Sequence, residues 1–230
     1  MTSRPPKVYP VIHVADIPDV VEDAELAVDR GADGVFLIDH DADDDRLVAA
    51  IRAVRAALPQ LFLGANVIKR SPTASLEVLH ERLPEGIALD ALWTDNSGVT
   101  PAGVGDEVAG FAAARERLRW TGRHFGGVAF KYQQPVELEA LPALGALARG
   151  NVDVATTSGP GTGQPIDHTR LLALREGLGE HPLALASGVT PDNVGEVADL
   201  VDHILVSTGI ASPAGRLDPQ RLQALLANVG

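Results

Sequence analysis

The feature that most constrains the fold is a regular alternation of short apolar runs with longer segments of helical period. Eight such pairs follow one another along the 230 residues. Apolar runs that alternate with amphipathic segments are typical of βα units, whose strands pair in parallel. Eight units in a chain of this length predict a single-domain (β/α)8 TIM barrel over residues 1–230.

The predicted elements have clear bounds in most places. The predicted strands cover 8–14, 34–38, 61–67, 91–94, 127–131, 152–156, 183–186 and 203–206. The predicted helices cover 18–30, 43–57, 72–83, 102–118, 138–148, 167–178, 191–199 and 218–228. Pro142 and Gly145 predict a kink or break in the fifth helix, whereas Pro191 and Pro219 are expected in the first turns of theirs. An open doubly wound sheet is the alternative, but the first strand lacks the glycine fingerprint that such a sheet carries.

The composition limits the partners. Thirty-one acidic residues against 19 basic residues give a formal charge of −12, so neither nucleic acid nor an anionic membrane surface is expected as a partner. The chain has no cysteine, which excludes disulfides, thiol nucleophiles and cysteine-based zinc sites. Without an apolar signal core or an apolar run long enough to cross a bilayer, we expect a cytoplasmic protein with no membrane insertion.

Two small polar turns follow the last two predicted strands. The first is Ser187-Gly188-Val189-Thr190 and the second is Ser207-Thr208-Gly209. In TIM barrels these two loops commonly form a phosphate site, because glycine lets the backbone approach the ligand and its N–H groups point at the oxygens. A phosphorylated small molecule is therefore the expected ligand. Its phosphate is expected to bind to Ser187, Gly188, Ser207, Thr208 and Gly209.

A glycine-rich segment follows the sixth predicted strand. It runs from Thr156 to Pro165 and exceeds the usual length of a βα connection. Long loops in compact domains are often functional. We expect a mobile cover over the ligand, with an ordinary flexible loop as the alternative. The residues expected to form this cover are Ser158, Gly159, Gly161, Thr162 and Gly163.

Polar residues end the other strands, on the face of the barrel where active sites lie. They include His13, Asp39, His40, Asn66, Lys69, Asp95, Asn96 and Lys131. Asp39 and Asp95 are expected to act as base and acid, with helix capping or loop solvation as the alternative for each. For Lys131, a Schiff base, proton donation and neutralisation of a substrate anion all stay open. Asn66 is expected to orient a hydroxyl or carbonyl group.

No cofactor is expected, although a divalent metal is the competing interpretation. Suitable ligand types occur at His13, Asp39, His40 and Asp95. No HxH or HExxH pattern accompanies them, and the third strand ends at Asn66 where a metal-dependent sugar-phosphate epimerase is expected to have a histidine. A serine hydrolase is not supported, because the GxSxG elbow is absent. His203, which begins a strand, is expected to be structural.

Four segments together resemble the BtpA family, the photosystem I biogenesis-like proteins of the ribulose-phosphate-binding barrel superfamily. They are Leu63-Gly64-Ala65-Asn66-Val67-Ile68-Lys69, the loop from Thr156 to Asp167, the turn from Ala186 to Val194, and Ile204-Leu205-Val206-Ser207-Thr208-Gly209. The resemblance implies a barrel, a phosphate site and a homo-oligomer, and it links the family to complex assembly without an agreed reaction. The chain departs from the family pattern at Ile12-His13-Val14-Ala15-Asp16 and at Asp95-Asn96-Ser97-Gly98.

Two functions are consistent with these patterns. The first is an enzyme that binds a phosphorylated sugar or nucleotide-like molecule and catalyses isomerisation or bond cleavage by acid/base chemistry. The alternative is a non-catalytic barrel of the BtpA type that binds a phosphometabolite or assists assembly. A ring of convergent polar side chains favours the enzyme, an isomerase or a lyase.

Overall fold

In the computed structural model, which describes residues 4–229, eight parallel strands form a closed barrel. The strands are β1 (Lys7–His13), β2 (Val35–Ile38), β3 (Leu63–Asn66), β4 (Ala91–Thr94), β5 (Arg123–Gly127), β6 (Val154–Thr157), β7 (Leu183–Ala186) and β8 (His203–Val206). Each strand pairs with the next along the chain, and β1 closes the ring by pairing with β8, Val8 opposite Ile204. The predicted TIM barrel is confirmed. The ends of the predicted domain, residues 1–3 and 230, lie outside the described part.

Eight helices surround the barrel. They are α1 (Ile17–Asp29), α2 (Asp44–Ala57), α3 (Pro72–Arg82), α4 (Asp106–Arg117), α5 (Leu141–Ala148), α6 (His168–Leu178), α7 (Val194–Val197) and α8 (Pro219–Asn228). Asp218 caps α8 by accepting hydrogen bonds from two backbone N–H groups, with Pro219 in the first turn as predicted. The predicted start of the seventh helix at Pro191 is wrong, because Asn193 bonds the Thr190 N–H and α7 begins only at Val194. No helix among residues 4–229 combines the length and apolarity needed to cross a lipid bilayer.

The fifth βα unit contains both a confirmed prediction and an error. A 3₁₀ turn over Leu138–Ala140 precedes α5, so the predicted break is present, and Pro142 lies in the first turn of α5. The predicted strand at 127–131 is wrong, since β5 ends at Gly127. The residues after it form a loop in which Phe130 is nonetheless buried. Lys131 therefore belongs to the β5–α5 loop and not to a strand end.

The barrel interior is filled by large side chains that close it below the site. Tyr9, Phe36 and Phe125 are fully buried there, with the Tyr9 and Phe36 rings edge to face at 5.6 Å. Gly64 makes room for Phe36, because a Cβ at Gly64 would lie 2.2 Å from that ring. Burial of each such side chain contributes roughly 1.5–3 kcal/mol. Because this end of the barrel is packed, a ligand can enter only from the carboxyl ends of the strands.

Candidate functional site

A cavity of about 550 Å³ opens at the carboxyl ends of the strands. All eight βα units contribute to its wall, as expected for a TIM-barrel active site. The polar and charged residues that line it are His13, His40, Asn66, Lys69, Arg70, Asp95, Asn96, Lys131, Thr162, Ser187, Ser207 and Thr208. The apolar side chains beneath and beside them include Val11, Ile38, Trp93, Phe130 and Leu205.

The two predicted phosphate turns form one side of this cavity. Ser187, Gly188, Ser207 and Thr208 line it, while Gly209 lies behind them in a 3₁₀ turn. Ser187 and Gly188 have φ angles of 88° and 76°, a backbone shape that is rare outside glycine and often found at functional sites. No described group accepts a hydrogen bond from the backbone N–H of Gly188, Thr208 or Gly209. These turns therefore offer unpaired donors of the kind that bind anions.

Glycines allow three loops to meet at this side. A Cβ at Gly188 would lie 2.1 Å from the carbonyl oxygen of Gln164, in the β6–α6 loop, and a Cβ at Gly209 would lie 1.9 Å from that of Val189. Gly159 meets the same Gln164 oxygen, where a Cβ would lie at 2.0 Å. A side chain at any of these positions would push the loops apart, so the shape of the turns depends on glycine there.

The predicted cover is held against the phosphate turns. Ser187 Oγ accepts from the Gly163 N–H at 3.1 Å and donates to the Gly161 carbonyl at 3.2 Å. Thr162 lines the cavity and accepts from Lys131 Nζ at 3.1 Å. Ser158, by contrast, is buried and anchors the loop by accepting from the Lys131 N–H and donating to the Gly159 carbonyl.

Asp95 and Asn66 form a polar pair on the opposite side. Asn66, only 1% exposed at the end of β3, donates from Nδ2 to Asp95 Oδ1 at 3.1 Å. Burial raises the pKa of Asp95, and this effect outweighs the hydrogen bond from Asn66 and the charges of Lys131 and His40, which lower it. A carboxyl group with a raised pKa in a cavity is suited to proton transfer.

Asp39 does not join this pair. Although it is only 2% exposed, its carboxylate does not line the cavity and receives two hydrogen bonds from Arg46, at 2.6 and 2.8 Å, and one from the Asp41 N–H. Burial raises its pKa, but the bonds from Arg46 and the backbone, together with the Arg46 charge, hold the pKa below its usual value. The expected partnership of Asp39 with Asp95 finds no support in this geometry, which ties Asp39 to the start of α2.

Two histidines, His13 and His40, also line the cavity. The His13 and His40 rings meet edge to face at 4.5 Å, and His13 Nε2 lies 3.0 Å from Ser207 Oγ. Burial and the electrostatic effect of the neighbouring His40 lower the pKa of His13. His13 ends β1 and His40 follows β2, and the sequence marked both as polar strand-end residues and as candidate metal ligands. Within residues 4–229, no three His, Asp or Glu side chains are arranged to share a metal ion.

An aromatic wall beside Lys131 is a part of the site that sequence reasoning missed. The Phe130 ring lies 6.0 Å from Trp93 and 6.0 Å from Tyr132, which is 67% exposed. Lys131 Nζ lies 5.0 Å from the centre of the Tyr132 ring, a favourable cation–π distance. No sequence signal places Phe130 here, because its position depends on the path of the β5–α5 loop.

Comparison with known proteins supports the architecture. No family model matches the chain. It is 29% identical over 217 residues to the N-(5'-phosphoribosyl)anthranilate isomerase of Halorubrum lacusprofundi, covering 90% of this chain and 91% of that protein. It is also 28% identical over 173 residues to an uncharacterized protein of Thermococcus kodakarensis, covering 73% of this chain but only 64%, less than two thirds, of that relative.

A solved structure also supports the architecture. The (S)-3-O-geranylgeranylglyceryl phosphate synthase of Thermoplasma acidophilum, in complex with its substrate sn-glycerol-1-phosphate, matches with a TM-score of 0.69. The identity is 16%, over 97% of this chain and 93% of that one. The chain has the TIM-barrel fold of these enzymes. Its resemblance to the BtpA family is not confirmed.

Proposed function

We propose that the protein is an enzyme that binds a phosphorylated sugar or nucleotide-like molecule and catalyses its isomerisation or bond cleavage by acid/base chemistry. One observation carries the proposal. A single cavity has unpaired backbone donors on one side and, on the other, a partly buried carboxyl group of raised pKa. The first feature suits a phosphate and the second suits proton transfer.

In this proposal the phosphate binds to the turns after β7 and β8. The N–H groups of Gly188 and Thr208 and the hydroxyl group of Ser207 would bind its oxygens, while the Ser187 hydroxyl holds the β6–α6 loop beside them. This arrangement uses partial charges of the backbone, so a protein with a formal charge of −12 can still hold an anion. Thr162 covers the ligand from the β6–α6 loop.

The reactive part of the ligand then faces Asp95. Its carboxylate takes a proton from a carbon next to a carbonyl group, and the carboxylic acid so formed returns the proton to the product. Meanwhile the electron pair moves to the carbonyl oxygen, where the Lys131 ammonium and the Asn66 amide stabilise the negative charge. Both side chains line the cavity beside Asp95, and no cofactor is needed for this step.

The relatives support the class of ligand. By their names, one is an isomerase of a phosphoribosyl compound and another acts on sn-glycerol-1-phosphate. Both are proteins whose substrates carry a phosphate. A homo-oligomer belongs to the same proposal, on the resemblance to the BtpA family alone.

Binding and proton transfer can be tested separately. Calorimetry with ribulose 5-phosphate, sn-glycerol 1-phosphate and their unphosphorylated counterparts measures the contribution of the phosphate. Incubation of ribulose 5-phosphate and ribulose in D2O, followed by mass spectrometry, detects exchange of hydrogen on a carbon next to the carbonyl group. We expect phosphate-dependent binding and exchange that Asp95→Asn abolishes. Absence of any phosphate preference overturns the proposal, and binding without exchange by any compound favours the non-catalytic alternative.

A further inference from the structure

We propose that the substrate carries a second anionic group, a carboxylate or another phosphate, which Lys69 and Lys131 bind beside Asp95. This inference depends on the proposed phosphate site, because it concerns the far end of the same ligand. It adds a substrate class, the doubly anionic metabolites, to the proposed function.

The distribution of lysine is the first observation. The chain has only three lysines among its 19 basic residues, and two of them, Lys69 and Lys131, line the cavity. The third cation in the wall, Arg70, forms an ion pair with Asp44. Eight arginines of the described chain are paired with carboxylates, whereas neither cavity lysine has a carboxylate within ion-pair distance. Two unpaired cations in one wall indicate an anionic ligand.

The position of the lysines in the ring is the second observation. In the closed order of eight strands, β3 lies opposite β7 and β4 lies opposite β8. Lys69 follows β3, and Lys131 lies in the loop after β5. They therefore flank Asp95, which follows β4. Lys69 lies across the ring from the turn after β7, whereas Lys131 Nζ reaches Thr162 of the cover. A ligand that spans the cavity would present its far end to these two ammonium groups.

The backbone at Lys69 and the side-chain contacts of Lys131 are the third observation. Lys69 has a φ angle of 62°, in the left-handed region that non-glycine residues seldom adopt and that functional sites often retain. Lys131 Nζ is fixed by its bond to Thr162 and by the Tyr132 ring. Its ammonium keeps two further N–H donors, one for the carbonyl oxygen of the proposed reaction and one for the second anionic group. Contacts that Lys131 makes before binding reduce the entropic cost of binding an anion there.

Pairs of ligands that differ by one anionic group test the inference. Affinities are measured by calorimetry at constant ionic strength for 3-phosphoglycerate against glycerol 3-phosphate, and for fructose 1,6-bisphosphate against fructose 6-phosphate. In the wild type we expect the doubly anionic member of at least one pair to bind about tenfold more tightly, the scale of one charge-assisted contact. The pair that shows the preference identifies the second anion as carboxylate or phosphate.

The lysine variants assign the preference to residues. Lys69→Ala and Lys131→Ala are expected to bring the affinity ratio close to one, while Lys69→Arg keeps most of it. Lys7→Ala is the matched control, because Lys7 begins β1 at the other end of the barrel and does not line the cavity. Circular dichroism confirms the fold of each variant, and the wild-type comparison needs no variant at all.

The outcomes separate the two proposals. If every ligand binds through its phosphate but the two members of each pair bind with equal affinity, the proposal of a second anionic group is wrong. The proposed function is then unaffected. An equal loss for both members of a pair in Lys69→Ala also overturns it, because the lysine would then serve the first phosphate. If no phosphorylated compound binds, the proposed function itself is wrong.

Discussion

Asp39 and Asp95 both follow barrel strands, yet their carboxyl groups have opposite environments. Asp39 is buried against the guanidinium of Arg46, which donates two hydrogen bonds to it. Asp95 is partly buried beside the neutral amide of Asn66. Since a full positive charge offsets desolvation and an amide does so only in part, the pKa of Asp39 is lowered and that of Asp95 is raised. Their neighbours, not their positions in the repeat, decide which one can exchange protons.

Replacement of Asp95 by Asn should reduce proton exchange by about 10²–10⁴-fold, the usual contribution of a general acid or base. Phosphate binding should persist, because the turns after β7 and β8 are untouched. The folded carboxyl group has a raised pKa, so wild-type stability falls as the pH rises through that pKa and the carboxylate becomes charged. Asp95→Asn should therefore raise the unfolding temperature at pH 7, measured by calorimetry. An unchanged exchange rate would contradict the role of Asp95.

Replacement of Asp39 by Asn should lower the stability of the fold and leave proton exchange unchanged. The lowered pKa of Asp39 stabilises the fold above the pKa of the unfolded chain, and this contribution is lost as the pH falls through the folded value. The variant should therefore unfold a few degrees lower at pH 7, and the difference should shrink in strongly acidic solution. Ligand affinity and proton exchange should stay at wild-type levels. Loss of exchange in a folded Asp39→Asn protein would restore the acid/base role expected from the sequence.

At the level of elements, strand ends are predictable where a polar residue directly follows an apolar run. Asn66, Asp95, Ser187 and Ser207 all line the cavity, as their positions after β3, β4, β7 and β8 predict. The strand prediction for the fifth unit is wrong because the strand ends in Gly126-Gly127, which are poor strand formers. The apolar run that follows is buried as a loop. A Cβ at Gly127 would lie 2.0 Å from the Asp95 carbonyl oxygen, so contact with the neighbouring loop requires glycine there. Such long-range contacts leave no local pattern in the sequence.

The loop contact at Gly209 gives a prediction at the same scale. A Cβ there would lie 1.9 Å from the Val189 carbonyl oxygen, so Gly209→Ala should force the turns after β7 and β8 apart. We expect phosphate affinity, measured by calorimetry, to fall about tenfold or more as two or more N–H contacts are misplaced. Gly150→Ala is the control, because a Cβ at Gly150 meets nothing within 4 Å. Equal affinities in the two variants would show that the phosphate does not bind between these turns.

At the level of the whole molecule, two buried histidines make the stability of the core depend on pH. The His203 ring lies 5.2 Å from Phe125 and 5.8 Å from Tyr9 inside the barrel, and His124 lies 4.3 Å from Phe111 under α4. Burial lowers the pKa of each to about 4. Both rings are therefore neutral components of the core at pH 7, in agreement with the structural role expected for His203.

These histidines should make the fold sensitive to acid. Between pH 6.5 and about 4 these histidines bind protons in the unfolded chain but stay neutral in the folded chain. The free energy of unfolding therefore decreases as the pH falls, by roughly 3 kcal/mol for each histidine. His203→Phe, which keeps a ring beside Tyr9 and Phe125, should remove about half of this dependence in denaturant titrations at pH 7, 5.5 and 4.5. His80→Gln is the control, since His80 is exposed on α3. If both variants retain the full pH dependence, other groups cause the acid unfolding and the barrel interior tolerates a charged imidazole.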